Sequence, residues 1–176
     1  MDGFDAIFRA ATANISHEYF LLPVVWSPPI YRERVYCYEL YHQLRRLWPE
    51  GSHYRLNGEI DKRGHPYFAE NGWAPKPDLL VHVPGSQDNY AVMEVKTADN
   101  LRGREVLKDI DTLSRFMDDA GYRRGIHLVF GAPAAETLDV LRHAAIDPER
   151  LGRIEFWGQA EPGLAAEELV WQAHPY

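Results

Sequence analysis

The chain has 176 residues, 45% hydrophobic and 26% charged, a balance that suits one domain with a sheet covered by helices and excludes a disordered chain. Its formal charge of −7 argues against a broad, nonspecific grip on nucleic acid, because such affinity comes from neutralising phosphates. The single cysteine, Cys37, excludes an internal disulfide framework and any cysteine-only zinc or iron–sulfur site.

The first residues, Met1-Asp2-Gly3-Phe4-Asp5, lack the basic and apolar regions of a signal peptide. No apolar run approaches the roughly 18 residues that a membrane-spanning helix needs. A cytoplasmic protein with no membrane association is expected.

Phe4, Ile7, Phe8, Ala11, Ile15 and Tyr19 recur at helical spacing, predicting a helix from about Phe4 to Phe20. It packs either on the domain or on a second copy of the chain, which would make a homodimer. Leu21 to Trp26 reads as extended, so residues 1–28 form a helix and a lead-in. Ser27-Pro28-Pro29 is a helix start, since proline is tolerated in the first turn. The helix should run from about Pro29 to Leu47 and bury Tyr36, Leu40, Leu44 and Leu47. Its polar side carries Arg32, Glu39, His42 and Arg46.

Tyr54 to Ile60 reads as a first strand, with a turn at Asp61 to Pro66. Tyr67, Phe68 and Trp73 make the next segment aromatic. They either pack over a sheet edge or stack on a nucleotide base. Glu59 and Glu70 are further acids in this region, without an assignable role.

The most informative stretch is Pro77-Asp78-Leu79-Leu80-Val81-His82-Val83, then Pro84 to Asn89, then Tyr90-Ala91-Val92-Met93-Glu94-Val95-Lys96. The middle segment is rich in turn formers, and the flanks are apolar and β-branched. The stretch therefore reads as a hairpin. Asp78 and Glu94 would then meet at its open end. Glu94 and Lys96, two apart on a strand, share a face. An even register puts Asp78 opposite Glu94 or Lys96, whereas an odd one turns it to the other side of the sheet. We expect the even register, or a bulge that restores the same facing. Both faces of the hairpin carry apolar residues, so helices should cover both.

After Ala98-Asp99-Asn100 a helix should extend to about Ala120, stopped by Gly121. Leu107, Ile110, Leu113, Phe116 and Met117 would face inward, opposite a polar stripe of Arg104, Lys108, Asp111 and Arg115. Gly125 to Gly131 reads as a buried strand, Ala134 to Ala145 as a helix, and Arg153 to Trp157 as another strand. This β–α–β order favours parallel pairing. Residues 158–176 form a C-terminal extension with a short helix or an edge segment. No repeat or linker divides the chain, so residues 1–176 are expected to be one domain.

The Pro77-Asp78 and Glu94-Val95-Lys96 pattern resembles the PD-(D/E)XK nuclease superfamily, and the resemblance spans roughly Tyr31 to Trp157. It implies a restriction-endonuclease-like, three-layer α/β/α sandwich with a central mixed sheet. It also implies a nuclease that uses Mg²⁺ or Mn²⁺, on DNA more than RNA. By the same resemblance Asp78, Glu94 and the Val95 carbonyl would hold the metal, and Lys96 would act in catalysis. Glu39 would be the acid supplied by the helix before the sheet. Lys108, Arg32 and Arg46 would touch substrate.

The chemistry suits those residue types. A phosphodiester repels hydroxide, and its leaving oxygen gathers charge, so a hard cation held by one or two carboxylates helps at both points. Lys96 could orient or deprotonate water, or neutralise charge. The charge of −7 suggests that a partner delivers the substrate or that a limited patch binds it. With no recognition domain visible, a protein partner in a defence, repair or mobile-element system is expected to supply specificity. Two alternatives remain: an exposed hairpin rim with a surface ion pair, or a nuclease-fold subunit that binds without turnover. A histidine-based hydrolase is disfavoured, because His53, His65, His82, His127 and His143 form no metal-ligand or nucleophile motif.

Overall fold

A computed structural model describes residues 1, 3–60, 76–101, 104–143 and 148–169. Tyr67, Phe68, Glu70 and Trp73 lie outside the described residues. The first helical stretch is two helices, α1 (Phe4–Ala13) and α2 (His17–Phe20). Two short strands follow, β1 (Leu22–Val24) and β2 (Ser27–Ile30), paired antiparallel. Ser27-Pro28-Pro29 therefore does not start a helix. Proline fixes φ near −65° and restricts the residue before it, which an exposed two-stranded edge accepts as readily as a helix turn does. Helix α3 begins later than expected and spans Glu33–Arg46.

The main sheet has six strands: β3 (Arg55–Gly58), β4 (Leu79–His82), β5 (Asn89–Thr97), β6 (Arg124–Phe130), β7 (Ile154–Gln159) and β8 (Glu167–Leu169), side by side in that order. β5, β6 and β7 run parallel, and the remaining pairs are antiparallel, so the sheet is mixed. The C-terminal extension supplies β8 as an edge strand. Helices α4 (Arg104–Asp119), α5 (Ala134–His143) and α6 (Pro148–Leu151) lie between strands in the chain. Gly121, at φ 68°, ends the α4 segment, where a side chain would be strained.

Alternation along the strands sorts two apolar clusters. Leu79, Val81, Ala91, Met93, Val95, Ile126, Leu128 and Phe130 pack with Phe4 and Phe8 of α1 and Tyr36, Leu40 and Leu44 of α3. Tyr36 stacks on Phe130 at 3.9 Å between ring centroids, and its hydroxyl donates to Gln159 Oε1. Leu80, Val92, Val129, Ile154 and Phe156 pack with Val106, Ile110, Leu113 and Phe116 of α4. Each such side chain contributes about 1.5–3 kcal/mol on burial. Among the described residues no helix is long and apolar enough to cross a membrane.

The hairpin that joins β4 to β5 has the even register. Leu79 pairs with Met93 and Leu80 with Val92, which carries Asp78 opposite Glu94. A bulge near the turn pairs His82 with Asn89, so the register shift falls at the end away from Asp78. The turn closes through Val83 N–H to Asp88 O at 2.9 Å, with Gly85 at φ 77°.

Candidate functional site

Asp78 sits just before β4, and Glu94, Val95 and Lys96 lie toward the end of β5. The Val95 N–H donates to Asp78 Oδ2 at 2.8 Å, so the backbone of the second strand fixes the carboxylate of the first. Glu94 is buried, and it lies near enough to Asp78 for the two carboxyl groups to raise one another's cost of ionising. Burial pushes the Asp78 carboxyl up to about 6, helped by Glu33 and Asp109 and opposed by the Val95 N–H and Lys96. Burial, then Asp78 and Asp109, drive Glu94 well above the usual carboxylate range. Two adjacent acids out of water cannot both ionise at low cost. They need a shared proton or a shared cation.

Lys96 points to the same end, its side chain 14% exposed. Its Nζ lies 3.5 Å from Glu33 Oε2 and 3.6 Å from Asp109 Oδ2. Burial alone would lower its pKa, but Asp109, Glu33, Glu94 and Asp78 outweigh that and hold it above its ordinary value. Glu33 is itself held from the other side. Its Oε1 accepts from Asn100 Nδ2 at 2.9 Å and from the Thr97 N–H at 3.3 Å. Asp109 is 5% exposed, and its Oδ2 lies 3.5 Å from Nε2 of the fully buried His127. His127 stands beside Glu94 in the parallel β5–β6 ladder.

Four carboxyl groups thus surround one ammonium where α3, α4 and the end of β5 converge. Sequence reasoning misses two of the four, Glu33 and Asp109. Glu39 does not join them through any described contact. Its Oε1 accepts from Gln43 Nε2 at 2.5 Å, and Gln43 in turn accepts from Arg46. Six helical residues rotate the chain by about 600°, or 120° away from the start, and advance it by about 9 Å. Glu33 in the first turn and Glu39 therefore cannot face the same point. Lys108 is exposed on α4, and its neighbour Asp109 is the residue turned inward. Arg32 and Arg46 are exposed at opposite ends of α3, so they do not share a single contact point with the acids.

The buried position of Asp109 carried a usable signal. It falls at positions 106, 109, 113 and 116, an i, i+3, i+7, i+10 spacing that is otherwise apolar. A carboxylate inside such a stripe is rarely left unpaired. Among the described residues, no group of three or more His, Cys, Asp or Glu side chains forms a ready-made metal cage. The two adjacent acids, Asp78 and Glu94, are the residues that could hold a hard cation, with water filling the remaining positions. No family model, characterised protein or solved structure matches this chain.

Proposed function

We propose that this protein is a metal-dependent nuclease of the PD-(D/E)XK type, with a restriction-endonuclease-like, three-layer α/β/α arrangement, acting in the cytoplasm. DNA is the expected substrate, and a protein partner supplies specificity. The observation that carries this reading is the register that sets Asp78 opposite Glu94, with the Asp78 carboxylate held on the Val95 N–H and Lys96 at the same end of the sheet.

The residues fit a hard divalent cation. Oxygen ligands predominate, the two acids are already desolvated, and a cation would relieve the cost of ionising them side by side. Asp78 and Glu94 would hold Mg²⁺ or Mn²⁺, together with the Val95 carbonyl. When bound, the ion supplies charge neutralisation at phosphate and makes water more acidic. Lys96 does a different task. With its pKa held up by four acids, Nζ stays an ammonium near neutral pH, which favours an electrostatic role over proton abstraction. It can donate to a phosphate oxygen and stabilise the charge that develops there. Glu33 and Asp109 hold the amine from two sides and restrict its swing.

A subunit that binds without turnover is the second reading. The specific observation behind it is that Lys96 is already matched with Glu33 and Asp109 rather than left open.

Cleavage of labelled single- and double-stranded DNA and RNA in Mg²⁺, Mn²⁺ or EDTA separates the two. The nuclease reading expects cleavage that requires the cation. It also expects Lys96→Ala to slow cleavage by about 100-fold or more while cation affinity stays within a few-fold. No cleavage under any condition, with the partner present, transfers the case to the binding subunit. Unchanged cleavage in Lys96→Ala assigns the activity to a different site.

A further inference from the structure

A cavity of about 390 Å³ opens between α3 and the edge strand β3, lined by Cys37, Tyr38, Tyr41, Asn57 to Glu59, Asp78 and Leu79. Asp78 is shared by this cavity and the acidic cluster, so the two adjoin. We propose that the cavity is a subsite for one unpaired nucleobase of the nucleic-acid strand whose phosphate lies at Asp78 and Glu94.

Charge argues for a base here and against a phosphate. Glu59 and Asp78 line the cavity, and the buried Cys37 thiol is raised first by burial and then by Asp78, Glu33, Glu94 and Glu59. An anion would be repelled, whereas a neutral ring with amino groups would not. Shape points the same way. Tyr38 is 60% exposed, more than a tyrosine needs to be in order to pack on a helix, and Tyr41 lies half-buried on the next turn. Exposed aromatic faces are stacking platforms for nucleobases.

A polar group is also present. It is not the Asn57 amide, which pairs with His82 Nε2 at 2.9 Å on the α4 side of the sheet. Arg34 holds Glu59 at 3.3 Å, and Glu59 offers an acceptor of the sort that reads the exocyclic amine of cytosine. A base paired in a duplex cannot enter a cavity between a helix and a sheet edge. The substrate presented here is therefore single-stranded, or frayed at its end.

The subsite rests on the nuclease reading, and a binding measurement keeps the two separable. The probes are a short oligodeoxycytidylate and an abasic oligomer of equal length, titrated by fluorescence anisotropy in Ca²⁺ with strand integrity checked afterwards. The wild-type protein should bind the base-bearing strand about tenfold more tightly than the abasic one. Tyr38→Ala should bring that ratio close to one, and Tyr38→Trp should keep it. Tyr38 is largely exposed, so thermal unfolding of the variants should match wild type.

A ratio of one in wild type overturns the subsite, as does an undiminished ratio in Tyr38→Ala or the absence of binding to either strand. Cleavage without base preference removes the subsite and leaves the nuclease. A Tyr38-dependent preference without cleavage in any divalent cation upholds the subsite and removes the nuclease.

Discussion

Two charge clusters sit at opposite ends of the same pair of parallel strands, and they are built on different rules. At the start of β6, Arg124 is bidentate to Glu155 at 2.7 and 2.5 Å. It also pairs with Asp5 at 2.7 Å and donates to the Tyr90 hydroxyl at 3.1 Å. Burial alone would lower the pKa of Arg124, but these partners raise it above its usual value. The guanidinium fork meets oxygen on each side, so the cluster is closed. About five residues further along β5, roughly 17 Å at strand rise, four carboxyl groups share the one ammonium of Lys96. There burial pushes two of the acids, Asp78 and Glu94, upward. Charge that is satisfied holds a fold together, whereas charge left in excess costs stability and waits for a ligand.

That contrast can be broken most directly with pH, in the absence of divalent cations. The folded-state value of Asp78 stands at about 6, above its ordinary 3.8. The folded protein therefore binds a proton that the unfolded chain releases. Its contribution to stability is complete below about pH 4 and is lost as pH rises through 6, an effect on the order of 3 kcal/mol at most. Urea unfolding from pH 4 to 8, as the difference between wild type and Asp78→Asn, should show that decline. A difference that is flat or rises with pH would show that Asp78 is as well matched as Glu155.

Isosteric neutralisation at each end gives the next largest effect. Glu155→Gln should cost about 2 kcal/mol, because it weakens a bidentate, charge-assisted pair and leaves Arg124 partly uncompensated. Glu94→Gln, at neutral pH without cations, should leave stability unchanged or raise it. Equal losses in the two variants would erase the distinction between a closed cluster and an open one.

Much of this architecture is legible in the chain because its signals are local. The hairpin from Leu79 to Thr97 carries its alternation and its turn chemistry within a few residues. Even the facing of Asp78 follows from a choice between two registers. The helix contributions are not legible, for a geometric reason. Which acid of α3 reaches the site depends on where the helix starts. Pro28 and Pro29 suit both a helix turn and an edge strand, so the pattern alone puts the start four residues too early. Placement after that start points to Glu39, whereas Glu33 is the α3 acid that pairs with Lys96. On α4 the sequence singles out Lys108 and overlooks Asp109. Lys108 looks like a reaching cation, while the inward phase belongs to Asp109. The burial of Asp109 is hinted at by its place in an apolar stripe. That Glu33 and Asp109 meet at Lys96, however, comes from tertiary packing of α3 and α4 on β5, which no window of sequence displays.

The smallest effect is the most discriminating, because it asks what the open cluster is for. If Asp78 and Glu94 hold a cation, Mg²⁺ or Mn²⁺ binds the folded state alone. A free concentration ten times Kd then stabilises by about 1.4 kcal/mol. In a chain this long that amounts to a rise of about 3–6 °C in Tm. The rise should vanish in Asp78→Asn combined with Glu94→Gln. It should persist in Glu155→Gln, whose cluster has no capacity for a cation. It should also grow between pH 5 and pH 8, because the ion competes with protons for two acids whose pKa values burial has raised, and fewer protons occupy them as pH rises. A rise of the same size at both pH values, or in the double variant, would place the cation elsewhere on the protein. The excess charge around Lys96 would then be a fixed feature of the fold rather than half of a binding site.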